Sequence, residues 1–89
     1  MDLASCRTEI DKLDQELAQL LERRMAVVAD VAAYKQDHGL DIYDGEREQL
    51  VLDKVASLVG NVEMVPHIRR VYQCIMDESK AYEEKRMGR

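Results

Sequence analysis

Tryptophan and phenylalanine are absent from this 89-residue chain, and four tyrosines are its only large aromatics. Platforms for stacking nucleic-acid bases are therefore scarce. Positive charge is short as well: 13 Lys and Arg stand against 18 Asp and Glu, a formal net charge of -5. Both shortages argue against a nucleic-acid partner, since such binding rests on cations that neutralise phosphates. The two cysteines, Cys6 and Cys74, are too few and too scattered for a disulfide framework, and with His38 and His67 they form no zinc spacing. Reduced thiols in a soluble, cytoplasmic protein are the expectation, with no metal. No apolar run is long enough to span a bilayer and no signal-peptide pattern opens the sequence, so no membrane partner is expected. Only four glycines occur, and none forms a loop that would cradle a phosphate. No Ser-His-Asp or Cys-His set suggests a nucleophile. No alternating β-branched run lies between turn signals, which leaves no strand to assign.

What the chain does have is helical periodicity. From Leu3 to His38 the apolar residues follow a heptad, with Leu3, Ile10, Leu17 and Val31 at one seam position and Cys6, Leu13, Leu20, Val27 and Tyr34 at the other. Asp2 is placed to cap this helix, and Gly39 to stop it in the left-handed conformation. Such a helix spans about 54 Å at 1.5 Å per residue. A compact globule of this size has a radius of gyration near 12 Å. One chain cannot cover the seam, so at least a homodimer is expected.

After a turn over Gly39 to Tyr43, Asp44 offers a cap for a second helix from about Gly45 to Leu58. Its buried stripe should hold Val51, Val55 and Leu58, with Leu52 and Val59 beside them. Gly60-Asn61 marks the second break, and Pro66 belongs in the first turn of a third helix that runs to about Arg86. The stripe of that helix reads Ile68, Tyr72, Ile75, Met76, then Ser79 and Glu83. The expectation is an all-α fold of three helices, one long, one short and one medium, with residues 1–89 forming a single domain.

The stripes carry residues that do not belong in a dry interface. Arg24 occupies a seam position between Leu17 and Val31, and Arg7 and Lys35 flank the seam in line with Leu21 and Val28. Arg47 and Glu48 extend the stripe of the second helix, Asp44 stands at its mouth, and Ser79 and Glu83 continue that of the third. Each has an ordinary explanation taken alone. A flanking Lys or Arg can snorkel, a polar seam residue can fix register, Asp44 can be only a cap, and Glu83 can only pair with Lys35 or turn out to solvent. Together, four cations face too few carboxylates, and unpaired charge is costly to bury. A small polyanion would satisfy them. Arg24 and Lys35 lie eleven residues apart on nearly one azimuth, about 16 Å along the axis, so both can grip one small dianion. Arg7 is seventeen residues from Arg24, about 25 Å away. It reaches such a site only from a second copy whose long helix runs antiparallel. A site of arginines, one lysine and few other donors suits a reaction that needs positioning and electrostatics.

The ordered set Arg7, Leu13-Asp14, Leu20-Leu21-Glu22-Arg23-Arg24, Lys35, Asp44-(x)2-Arg47-Glu48 and Ser79-(x)3-Glu83 resembles the all-helical chorismate mutases over nearly the whole chain. The resemblance implies an intertwined homodimer of three-helix chains with antiparallel long helices. It implies conversion of chorismate to prephenate, a pericyclic Claisen rearrangement toward phenylalanine and tyrosine, without cofactor or metal. On that resemblance Arg7 from the partner and Arg24 hold substrate carboxylates, and Lys35 meets a carboxylate and the ether oxygen. Asp44, largely through its backbone, and Glu48 meet the ring hydroxyl. Arg47 and Ser79 support the carboxylate end, and Glu83 donates to the ether oxygen where many members have Gln. Two alternatives stay open: an isochorismate-pyruvate lyase on the same scaffold, and a non-catalytic helical dimerisation or regulatory module.

Overall fold

A computed structural model describes residues 1–89 as three helices, α1 (Leu3–His38), α2 (Gly45–Leu58) and α3 (Val65–Arg86), with a short 3-10 turn over Val62–Met64. The boundaries follow local chemistry. The Asp2 side chain accepts a hydrogen bond from Ser5 N at 2.8 Å, which satisfies one orphan donor of α1 and holds the Asp2 carboxyl below its usual range. Gly39 ends α1 at φ 64°, its N–H turned back to the Lys35 carbonyl. Asp44 caps α2 through Arg47 N at 3.1 Å. Asn61 caps the 3-10 turn through Glu63 N at 3.0 Å, and Pro66 sits in the first turn of α3.

α3 is the shared partner. α1 packs on it and α2 packs on it, but α1 and α2 do not pack directly on each other. The gap between them becomes the site described below. The molecule measures 53 × 24 × 16 Å, so α1 alone sets its length, and its radius of gyration is 15.9 Å, well above that of a compact globule of this size.

Burial is correspondingly thin. Only five of 89 residues are buried: Ala32, Met76, Met87, Ser79 and Glu83. The heptad seam of α1 is bare in the single chain, with Leu13 61%, Leu17 51% and Leu20 54% exposed. The face α1 turns inward is the neighbouring one, where Leu21, Met25, Val28, Ala32 and Lys35 recur at three- and four-residue steps and are half-buried or buried. The stripe of α3 is as expected, with Ile68, Tyr72 and Ile75 half-buried and Met76, Ser79 and Glu83 buried. On α2, Val51, Leu52 and Val55 are half-buried, as is Val59 just past its end, but Leu58 is not part of the covered stripe. It is the helix's last residue, nothing in the single chain covers it, and it is 71% exposed.

Candidate functional site

Because α1 and α2 each lean on α3 without meeting, a cavity of about 290 Å³ opens between them. Its size is at the lower edge of ligand pockets, which run from about 300 to 1,000 Å³. α1 lines it with Arg24, Val27, Val28, Val31 and Lys35, the linker with Ile42 and Asp44, and α2 with Arg47, Glu48 and Val51. α3 supplies Met76, Ser79, Lys80 and Glu83. The arrangement on α1 follows from helix geometry: positions 24, 28, 31 and 35 share one face, so an apolar floor of valines separates two cations.

Seven of the eight residues singled out in the sequence therefore converge: Arg24, Lys35, Asp44, Arg47, Glu48, Ser79 and Glu83. Arg7 does not. It is exposed on the first turns of α1, far along the helix from the cavity.

The polar groups are already oriented. Arg24 Nη1 donates to Ser79 Oγ at 2.6 Å, and Ser79 in turn donates to the Ile75 carbonyl at 2.7 Å. The Arg24 guanidinium also lies 5.7 Å from the centroid of the Tyr72 ring, within cation–π range. Lys35 Nζ donates to the Ile42 carbonyl at 2.7 Å, which ties the linker to the end of α1. The same ammonium stands 3.0 Å from Glu83 Oε1. It approaches off the hydrogen-bonding direction, so this buried oxygen has a counter-ion but accepts no hydrogen bond. A buried carboxylate oxygen in that state is poised for another partner.

Asp44 does act as a cap, and it lines the cavity as well. Its carbonyl accepts from Glu48 N at 3.0 Å, whereas its own N–H makes no hydrogen bond within the chain and remains available as a donor. Four cations (Arg24, Lys35, Arg47, Lys80) face three carboxylates (Asp44, Glu48, Glu83), a formal excess of one positive charge. The site suits a small anion, held over an apolar floor. Nowhere in the chain do three His, Cys, Asp or Glu side chains come together as a metal site needs.

Sequence reading missed two contributors. Tyr72 was legible as a stripe residue but not as a support for Arg24. Lys80 stands four residues past Met76 and three before Glu83, on the edge of the α3 stripe, and that spacing was the signal that could have found it. Its ammonium binds Glu48 Oε2 at 2.7 Å.

Comparison with known proteins gives the following. The sequence model of the family described as chorismate mutase type II matches residues 6–84. The bifunctional chorismate mutase/prephenate dehydratase of Buchnera aphidicola subsp. Schizaphis graminum is 33% identical over 89 residues, covering 99% of this chain and 23% of that protein. The chorismate mutase of Methanocaldococcus jannaschii is 29% identical over 84 residues, covering 93% of this chain and 85% of that protein. A T-protein of Haemophilus influenzae is 48% identical over 50 residues, 56% of this chain and 13% of that protein. The chain thus spans less than a quarter of the Buchnera relative and most of the Methanocaldococcus one. No solved structure matches it.

Proposed function

Since this chain belongs to the chorismate mutase type II family, we propose that it rearranges chorismate to prephenate, as a homodimer and without metal or cofactor. The observation that carries the reading is the convergence of Arg24, Lys35 and Arg47 with Ser79 and Glu83 around one apolar-floored cavity. Chorismate is a dicarboxylate with an enolpyruvyl arm, and its rearrangement needs no group transferred to or from the protein.

Arg24, preset by Ser79 and the Tyr72 ring, grips one substrate carboxylate. Lys35 has three N–H donors. One serves Ile42, and the contact with Glu83 is an ion pair without a hydrogen bond, which leaves donors for the substrate. Arg47 lies at the rim and supports the carboxylate end. The free Asp44 N–H and the Glu48 carboxylate serve the ring hydroxyl as donor and acceptor. Holding both carboxylates folds the flexible arm over the ring, so binding supplies part of the activation entropy. As the C–O bond breaks, negative charge grows on the ether oxygen. Lys35 and a protonated Glu83 stabilise that charge more in the transition state than in the substrate.

The second copy supplies what the single chain lacks. Antiparallel pairing of the bare α1 seams covers the exposed leucines and carries Arg7 of one chain to the cavity of the other. Arg7 then adds one positive charge to the cavity's excess, which favours a dianion.

The test is a chorismate-disappearance assay with the product identified as prephenate, run beside an assay with isochorismate. Turnover of chorismate to prephenate is the expected result. Release of pyruvate from isochorismate, with chorismate untouched, would overturn this reading in favour of a lyase.

A further inference from the structure

The contact that the sequence reading did not anticipate is the one between α2 and α3 at Glu48. Both carboxylate oxygens of Glu48 are engaged by a single face of α3. Lys80 Nζ meets Oε2 at 2.7 Å, and Gln73 Nε2 donates to Oε1 at 3.4 Å. Asp77 lies between the two on the same row of α3. It accepts from Gln73 at 3.0 Å and stands 3.5 Å from Lys80. The Tyr43 ring covers the ammonium from the linker side, 5.0 Å from its centroid. Lys80 is thus fixed by two carboxylates and an aromatic face. The close pairing with Glu48 is the main reason its ammonium is held above the ordinary lysine range, so it stays charged wherever the protein is folded near neutrality.

The placement matters because Glu48 lines the same cavity as Arg24, Lys35 and Arg47. A carboxylate free to move among three cations pairs with one of them, since opposite charges at contact distance attract strongly away from bulk water. A substrate carboxylate would then have to displace it.

We propose that Lys80 is a positioning residue that pins Glu48 against α3, which keeps the cavity's other cations open to the substrate's carboxylates and fixes Glu48 as an acceptor. The inference rests on the reading of the cavity as a chorismate site. Lys80 acts through Glu48 and does not itself touch the substrate. Loss of the pin weakens the grip on the carboxylates in ground state and transition state alike, so it appears in KM far more than in kcat.

The experiment compares wild type with Lys80→Met, Lys80→Gln and Lys80→Arg in steady-state turnover of chorismate, with far-UV circular dichroism and Tm as fold controls. Lys80→Met should raise KM about 10-fold, with kcat within about threefold, as expected for lost uniform binding. Lys80→Gln keeps a polar end in place of the apolar one and should behave alike, which guards against a fold defect peculiar to Met. Lys80→Arg retains the cation and should stay within about twofold of wild type in KM. In a Glu48→Gln background the carboxylate is gone, and Lys80→Met should add nothing further. Normal KM in folded Lys80→Met and Lys80→Gln overturns the inference while leaving the chorismate reading intact. A Lys80→Met effect that persists undiminished in the Glu48→Gln background also overturns it, because Lys80 would then act on the substrate directly. A wild type inert toward chorismate overturns the reading itself and this inference with it.

Discussion

In the proposed reaction Glu83 is the donor to the ether oxygen, and it can donate a hydrogen bond only while protonated. As a carboxylate it opposes both the charge growing on an ether oxygen and a dianionic substrate. The groups that face it come from every wall of the cavity: Lys35 at 3.0 Å and Arg24 from α1, Asp44 from the linker, Arg47 and Glu48 from α2, and Lys80 on its own helix. In the empty site Glu83 pairs with the Lys35 ammonium, which still has a donor free for the substrate. Turnover that depends on the donated proton should be lower at alkaline than at acid pH. Glu83→Gln donates at any pH and should keep activity with a flat profile over the same range, whereas Glu83→Ala should lose activity throughout. Identical pH profiles for wild type and Glu83→Gln would remove Glu83 as the donor. Arg24 gives a second prediction at this scale. Its guanidinium is a half-buried ion whose partner, Ser79, keeps its own donor bond to the Ile75 carbonyl whether or not Arg24 is present. Arg24→Leu should therefore leave Tm unchanged or higher, since apolar replacement of a desolvated ion is often neutral or stabilising. Activity should drop about 10²–10³-fold, the loss typical for removing one preorganised electrostatic contact. A large fall in Tm with an altered fold would make Arg24 a structural residue.

At the scale of the element, α1 is a helix with two apolar faces, and α3 covers only one of them. The proposed homodimer would cover the bare seam through Leu13, Leu17 and Leu20, and with five buried residues the single chain has almost no core. Folding and association should therefore be one event. Leu17→Lys should abolish the dimer and with it the helical circular-dichroism signal, and wild-type Tm should rise with protein concentration, as mass action requires. A folded monomer of Leu17→Lys with wild-type Tm, seen by sedimentation and thermal melting, would show that the seam is not the interface. The helices themselves were legible because their limits are local. Asp2, Gly39, Asp44 and Pro66 act within one turn of where they stand, and heptad and stripe periodicities report which faces are apolar. Most of the site was legible for the same reason, as polar residues interrupting those stripes. The Glu48–Lys80 pair was not. Its partners are 32 residues apart on different helices, while Lys80 beside Asp77 reads as an ordinary surface pair at i,i+3. Nor did the periodicity of α2 reveal that its last stripe residue, Leu58, lies beyond what the single chain covers.

For the molecule as a whole, Arg7 stands about 25 Å along α1 from Arg24, where the cavity of this 53 Å body begins. The cavity gathers seven of the expected residues from all three helices and the linker, while Arg7 remains exposed near the start of α1. No bend of a continuous 36-residue helix brings Arg7 to its own chain's cavity. If Arg7 takes part, it does so in a second copy, and a two-fold antiparallel pair builds two equivalent sites that each borrow one arginine. This makes inactivity separable by chain. Arg7→Ala and Arg24→Ala homodimers should each lose about 10²–10³-fold in kcat/KM, as expected when a charge-assisted grip on a desolvated carboxylate is removed. Exchange of subunits between the two preparations creates heterodimers in which the Arg7→Ala chain keeps its own Arg24 and receives an intact Arg7 from the Arg24→Ala chain. One of the two sites is then wild type in composition, and the other lacks both arginines. Random exchange makes about half of all dimers heterodimers, each with one working site, so the mixture should recover about a quarter of wild-type activity. Tagging the chains separately and purifying the heterodimer should bring it to about half. The recovery should appear at the rate of subunit exchange, measured in parallel by native mass spectrometry. Verified heterodimers that stay as inactive as their parents would place Arg7 outside the site and reduce the two-chain reading to a dimer with independent pockets.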